Sequence, residues 1–262
     1  PGPFGTTCAR VGCMPSKLVI AAADAAHHAR QVSEFGVHSE GVRVDGREVM
    51  ERVQSERDRF VGFVLEVIEE AREAGELIVG RGRVVAPGKL SVDDGREVHF
   101  KCLVVATGTV PFIPPPFRGI EHALFTNETF FEMETLPESV LVVGLGAIGL
   151  ELGQALHRLD VRTTLVGLEG QLGPLSDPVV LESAHETLRG ELDIHSRYEL
   201  QAIEPEGKGI RLRFIDSYGR ERNEEFDRVL MAAGRKPNLG YLGLEALGIQ
   251  PDATGRYQID PE

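Results

Sequence analysis

Between residues 139 and 166 an apolar segment, Ser139-Val140-Leu141-Val142-Val143, runs straight into Gly144-Leu145-Gly146-Ala147-Ile148-Gly149. A helix-forming stretch from Leu150 to Leu159 follows, and then a second apolar segment, Thr163 to Val166. Few arrangements accommodate this order. Glycines at that spacing turn a buried strand tightly into a helix, and the strand after the helix then lies parallel to the first. The segment predicts a βαβ unit, and with it an α/β fold whose helices cover a parallel sheet. Gly144 permits the turn, Gly146 lets the main chain approach a pyrophosphate, and Gly149 lets helix and strand pack closely. Main-chain N–H groups around Ala147 and Ile148 point at the anion. The predicted ligand is a dinucleotide.

At 262 residues and 42% hydrophobic content, the chain can bury one large core or form two domains of ordinary size. It holds no run of about 18 uncharged apolar residues, so no membrane-spanning helix is predicted. The formal charge of -13, with no basic cluster to offset it, argues against a nucleic-acid role, because an acidic surface repels phosphates. Its 3 cysteines form no disulfide framework and point to a reducing, cytoplasmic compartment.

Two of those cysteines stand in the run Gly5-Thr6-Thr7-Cys8-Ala9-Arg10-Val11-Gly12-Cys13-Met14-Pro15-Ser16-Lys17. A disulfide needs Cα atoms about 4.4 to 6.8 Å apart, which a single turn around Gly12 supplies. So short a closed loop adds only roughly 2 kcal/mol, which favours redox exchange over structural stapling. Pro15 sits where a first helical turn tolerates proline, and an apolar periodic run follows, so Cys13 belongs at a helix N-terminus. The helix dipole and the Lys17 ammonium favour a thiolate there, making Cys13 the candidate stabilised thiolate. Cys8, less covered by the helix, is the candidate to exchange with a substrate sulfur. Two plainer readings stay open, a buried reduced pair and a partial metal site. No further Cys or His lies near enough in sequence to complete a zinc set, and no metal is predicted. Cys102, in the apolar run Cys102-Leu103-Val104-Val105, reads as a core residue.

The cysteine run resembles the redox-active segment of the flavoprotein disulfide reductases, the class I pyridine nucleotide-disulfide oxidoreductase family. Its Pro-Ser-Lys ending is most similar to dihydrolipoamide dehydrogenase. The family carries Gly where this chain has Thr6, and Asn where it has Arg10. The resemblance implies an electron relay: a nicotinamide gives hydride to FAD, the flavin reduces the Cys8–Cys13 bridge, and Cys8 exchanges with a small disulfide or dithiol substrate, or the reverse. Dihydrolipoamide leads as substrate; glutathione or mercuric reduction keeps the same relay. The family's matching Glu pairs with the lysine of the Pro-Ser-Lys run, which implies a Lys17–Glu151 contact beside flavin and nicotinamide. By the same resemblance, Thr107, Gly108 and Thr109 approach the flavin nucleotide and Gly82 its adenine. Gly234, in Gly234-Arg235-Lys236-Pro237-Asn238, approaches NAD, and Leu200 lies on the adenine side. A homodimer is implied. The family's proton-handling His comes from the partner's C-terminal domain, so none of the 8 histidines here inherits that role.

The implied fold is Rossmann-like, an incomplete FAD-binding domain with a complete NAD(P)-binding domain. Its segments are 1–117, the partial FAD domain with the redox helix, 118–237, the nucleotide domain, and 238–262, the start of a return to the FAD domain. The resemblance expects a glycine fingerprint before Pro1 and a second flavin-contacting segment and dimerisation domain after Glu262. The chain thus reads as the middle of a longer enzyme, and in isolation as a nucleotide-binding module without turnover. Cofactor choice falls at the end of the second strand, where NAD-using members carry Glu and this chain has Gly167. Glu169 is placed to substitute, whereas Arg158 and Arg162 are placed to meet a 2′-phosphate; NAD is favoured and NADP kept open.

Periodicity predicts helices from Ser16 to about Glu34, with Leu18, Ala21, Ala22, Ala25, Ala29 and Val32 inward, and from about Arg47 to Ala74, with Val53, Phe60, Val64, Ile68 and Ala71 inward. Short strands are predicted at Leu77–Val79, Arg83–Val85, Lys89–Val92, Val98–Phe100, Leu103–Val105, Asp193–His195, Ile210–Phe214 and Val229–Met231, and a helix at Val180–Leu188.

Overall fold

A computed structural model describes residues 3–38, 40–252 and 257. The last residues of the predicted 238–262 segment, and Pro1, lie outside the described residues. In chain order the elements are α1 (Thr7–Val11), α2 (Cys13–Gln31), α3 (Gly46–Glu73), β1 (Gly82–Ala86), β2 (Lys89–Val92), β3 (Glu97–His99), β4 (Thr109–Pro111), β5 (Leu124–Phe125), α4 (Asn127–Phe130), β6 (Ser139–Val143), α5 (Ala147–Arg158), β7 (Arg162–Val166), α6 (Pro178–Arg189), β8 (Asp193–His195), β9 (Glu199–Glu206), β10 (Gly209–Ile215), β11 (Glu221–Phe226), β12 (Arg228–Met231) and β13 (Arg235–Pro237). They fall into two compact units, one formed by Gly5–Glu66 and Pro111–Gly234, the other by Val67–Val110 with the segment that begins at Arg235.

The first unit is built on a parallel sheet of order β5-β12-β6-β7-β8. Its strands are buried on both faces, as parallel strands must be when layers cover both sides. Alternate residues therefore serve different cores. Val140, Val142, Leu165 and Leu230 pack toward α2 and α5, with Val19, Ala23, Leu152 and Leu156. Leu141, Val143, Val166, Val229 and Met231 pack toward the antiparallel sheet β11-β10-β9, with Leu212, Phe214 and Phe226. The α/β class and the Rossmann-like order expected from the glycine segment are what the chain adopts.

Several local expectations are corrected. The α2 helix starts at Cys13 and buries Ser16, Val19, Ala23 and Ala26, while Ala21 and Ala25 face solvent. Packing on α5 selects that face, because alanine-rich sequence leaves several faces nearly equal in apolarity. On α3 the fully buried stripe is Met50, Val53, Arg57 and Val61, a charged residue among them, while the expected Phe60, Val64, Ile68 and Ala71 are half-buried. The Arg57 guanidinium is buried because Glu132 (2.7 Å), Asp58 (2.9 Å) and the Phe131 carbonyl (3.2 Å) satisfy it. In the second unit, β1, β2 and β3 form an antiparallel sheet with turns at Gly88 and Gly95. The runs Leu77–Val79 and Leu103–Val105 are not strands, and Cys102 is exposed rather than core. A strand needs a neighbour for its main-chain N–H and C=O groups, and among the described residues neither run has one.

Candidate functional site

The βαβ turn is held by atoms that leave no room for side chains. A Cβ on Gly144, whose φ is +111, would lie 2.3 Å from the Ala232 carbonyl oxygen; one on Gly149 would lie 1.9 Å from the Gly144 carbonyl oxygen. Gly146 differs: nothing lies within 4 Å of its would-be Cβ, so its smallness serves the open side. Gly146 caps α5 with no side-chain bond, which leaves the N–H groups of the first turn, Ala147 and Ile148 among them, without a side-chain acceptor. That is the donor array an anion requires.

Above this turn is a cavity of about 630 Å³, lined by Gly144, Gly146, Gly167, Gln171, Tyr198, Leu200, Gly234 and their neighbours. Three strand ends and the 168–173 loop converge on it. Gly167 N–H donates to the His195 carbonyl at 2.8 Å and Gly173 N–H to the Leu145 carbonyl at 2.6 Å, which fixes the loop. Tyr198, not anticipated from the sequence, packs its ring on Phe214, and burial pushes its phenol pKa up, so it presents a protonated hydroxyl. The only sequence cue was an aromatic residue beside a short strand. A mostly apolar cavity floored by a glycine turn and a helix N-terminus fits a dinucleotide.

Arg158 and Arg162 do not line this cavity. The Arg158 guanidinium is held by Glu191 at 2.6 Å and Asp24 at 2.8 Å, and Arg162 sits at the far end of β7, pairing with Glu224 at 3.3 Å. Their expected approach to a 2′-phosphate is thereby corrected: both charges are already answered by carboxylates on other elements.

The thiols lie in the same unit. Cys8 is on α1 and Cys13 is the first residue of α2; both are exposed and free. Gly12 makes the juxtaposition possible, because a Cβ there would meet the Thr7 carbonyl oxygen at 2.9 Å and the Cys8 Cα at 3.4 Å. Asn127 Nδ2 donates to the Val11 carbonyl at 2.8 Å, and Ser16 Oγ donates to the Cys13 carbonyl at 3.1 Å. The Cys8 thiol is pushed up, first by its hydrogen bond with Cys13 and then by burial and by the charge of Cys13. Lys17, one turn into α2, places Nζ 2.8 Å from Glu151 Oε2 on α5. The ion pair implied by the resemblance is formed, and it joins the helix that carries Cys13 to the helix that opens at the cavity.

The remaining residues lie in the second unit. Gly82 begins β1 and leaves room for Leu90, whose Cδ2 would be 3.0 Å from a Cβ. Thr109 accepts from Arg235 through Oγ1 at 2.6 Å and through its carbonyl at 2.7 Å. The Gly108 carbonyl accepts from Asn238 N–H at 3.0 Å. The Ala-Thr-Gly and Gly-Arg-Lys-Pro-Asn segments are thus stitched together through β4 and β13. Thr107 Oγ1 is buried without a hydrogen-bond partner among the described residues, a polar atom suited to a bound group.

The profile of the pyridine nucleotide-disulphide oxidoreductases matches residues 3–262. The chain belongs to this family. It is 29% identical over 266 residues to a dihydrolipoyl dehydrogenase of Halobacterium salinarum, covering 99% of this chain and 56% of that protein. It is 30% identical over 269 residues to a mercuric reductase of Streptomyces lividans, covering 99% and 55%, and 28% identical over 269 residues to the mitochondrial dihydrolipoyl dehydrogenase of Dictyostelium discoideum, covering 98% and 54%. The chain therefore spans about half the length of these curated relatives. Among the described residues no helix is long and apolar enough to cross a membrane, and no group of acidic, His or Cys side chains is arranged to hold a metal.

Proposed function

We propose that the protein containing this chain is a flavin- and nicotinamide-dependent disulfide oxidoreductase that passes electrons between a nicotinamide, FAD and the Cys8–Cys13 pair. One observation carries the proposal: a pair of exposed thiols brought together across Gly12 at the mouth of α2, tied by Lys17 and Glu151 to the helix that floors a dinucleotide-shaped cavity. FAD, when bound, supplies two-electron transfer between a nicotinamide and a dithiol, chemistry no side chain provides. Gly82, Thr107, Gly108 and Thr109 are the residues of the second unit assigned to hold it, and the orphaned Thr107 hydroxyl supports that assignment.

The chain's own residues then divide the work. Gly144, Gly146 and Gly149 with the N–H groups of Ala147 and Ile148 seat the pyrophosphate, while Gly234 and Leu200 border the same ligand. Cys13 holds the thiolate at the helix N-terminus, and Cys8 meets the substrate sulfur. Glu151 holds the Lys17 ammonium in position. The substrate is a small disulfide or dithiol, with dihydrolipoamide first and glutathione disulfide as an alternative, or else mercuric ion as the electron acceptor; relatives named for lipoyl and for mercuric chemistry support both ends of that range. A homodimer in a reducing compartment belongs to the same proposal.

The test is to purify the full-length protein, record its visible spectrum, and assay it with lipoamide, glutathione disulfide and mercuric salts. A yellow protein that turns over one of these, and loses turnover in Cys8→Ser and in Cys13→Ser, is the expected result. A colourless protein inactive toward all three overturns it.

A further inference from the structure

We infer that the adenosine end of the cavity accepts a 2′-phosphate, so that the nicotinamide cofactor is NADP(H), with Arg197 as the residue that sets this specificity. The inference rests on the dinucleotide reading of the cavity. An acid at the end of the second βαβ strand accepts from the free ribose diol of NAD; an arginine nearby instead meets the extra phosphate of NADP. That strand is β7, and the residue that follows its last, Val166, is Gly167, with no acid. The space an acid would occupy is filled, since a Cβ on Gly167 would lie 2.6 Å from Leu145 Cγ, in a side chain that is itself buried. Leu168, the next residue, lines the cavity with an apolar side chain, whereas Glu169, at φ 60, is exposed and not among the lining residues.

A cation is present instead. Arg197 follows β8, the neighbour of β7, and its guanidinium lies against the cavity loop: Nε and Nη2 would be 3.1 and 3.3 Å from a Cβ on Gly170. Gly170, at φ +74, leaves that place free. Its N–H donates to the Ser196 carbonyl at 2.8 Å and its carbonyl meets His185 Nε2 at 3.1 Å, so loop and arginine are held together. Gln171 and Tyr198, the residues next to Gly170 and Arg197, both line the cavity. Among the described residues no carboxylate pairs with the Arg197 guanidinium, whereas Arg158, Arg162, Arg211, Arg220 and Arg222 all have acidic partners. An unanswered guanidinium beside a dinucleotide cavity, in a chain of net charge -13, is suited to a phosphate that it can grip with two N–H groups.

The test uses full-length protein, with calorimetric titration of 2′,5′-ADP against 5′-AMP and fluorescence titration of NADPH against NADH. The 2′-phosphorylated ligand of each pair should bind at least about tenfold more tightly, the scale of one charge-assisted hydrogen bond. Arg197→Ala should abolish that preference while leaving NADH binding unchanged, and Arg197→Lys should restore part of it. Equal or tighter binding of NADH, or a preference for NADPH that survives Arg197→Ala, overturns the inference and leaves the dinucleotide reading standing. Binding of neither dinucleotide overturns both.

Discussion

A threonine at φ 57 and ψ 154 is held in a region of backbone space that is almost the preserve of glycine, and Thr6 occupies it two residues before Cys8. What it gains is a cap, since its hydroxyl accepts from Ala9 N–H at 3.1 Å at the start of α1. The strain amounts to about 1–3 kcal/mol, and replacing a threonine cap with glycine loses only a few tenths. Thr6→Gly should therefore stabilise the protein by about 1 kcal/mol, a rise of roughly 2–4 °C in Tm for a chain this long. A lower Tm in that variant would show that the cap outweighs the strain. The two glycines of the βαβ turn make a second contrast at this scale. Gly149→Ala drives a methyl into the Gly144 carbonyl and should cost about 2 kcal/mol or more. Gly146→Ala meets nothing in the protein and should change stability by less than about 0.5 kcal/mol. Its methyl would project where the pyrophosphate approaches, so dinucleotide affinity should fall by about tenfold or more. Urea melts alongside dinucleotide titrations separate the two effects; equal stability losses would refute the division.

Pairs of elements carry the next level of argument. Lys17 and Glu151 are both well exposed, and a surface pair of that kind contributes about 0–1 kcal/mol to stability. Its importance is positional. Glu151→Gln should leave the Kd for the dinucleotide unchanged and slow reduction of the bound flavin about tenfold, equivalent to about 1.4 kcal/mol of barrier. Stopped-flow traces matching those of wild type would argue against a positioning role. The β10–β11 turn is a different case, because Asp216 is buried there. Burial pushes its carboxyl up, yet the Arg220 and Tyr218 N–H groups and the Arg220 guanidinium overcome this and hold it down to about 2. A depressed pKa stabilises the fold above the unfolded value of about 3.9, and that contribution is lost as pH falls through about 2. Asp216→Asn should be less stable than wild type at neutral pH, with the gap closing between about pH 4 and about pH 2. A gap constant across that window would remove the linkage. The Asp216-Ser217-Tyr218-Gly219-Arg220 turn could have been read from its Asp and Gly. The strands on either side of β10 were harder to see: β11 is mostly charged and β9 contains Pro205, so an apolar alternation finds only β10, the strand between them.

Across the larger unit, what was legible in the sequence was whatever depends on near neighbours. A buried strand, three glycines and a helix specify the βαβ turn locally, and Gly12 with Pro15 and Ser16 specifies the thiol-bearing helix mouth. What was hidden depends on distant partners. Leu103–Val105 has the composition of a strand but no ladder among the described residues, α2 chose its inward face by what α5 presented, and Arg158 was claimed by Asp24 and Glu191. That last arrangement has a consequence for how the unit unfolds. The thiol-bearing α2 shares one core with the parallel sheet, Val19, Ala23 and Ala26 packing with Leu152, Leu156 and Val142. Arg30 and Arg158 add ion pairs with Asp160 and Asp24 across the same seam. Leu156 is fully buried at its centre, so Leu156→Ala should cost about 2–5 kcal/mol. Because the core is continuous, the loss should be shared. In hydrogen exchange followed by mass spectrometry over a urea series, peptides from α2 and from β6 should lose protection at the same lowered urea concentration in the variant. Protection retained in β6 after α2 has opened would mean that the redox helix is a separately folding attachment to the nucleotide-binding sheet.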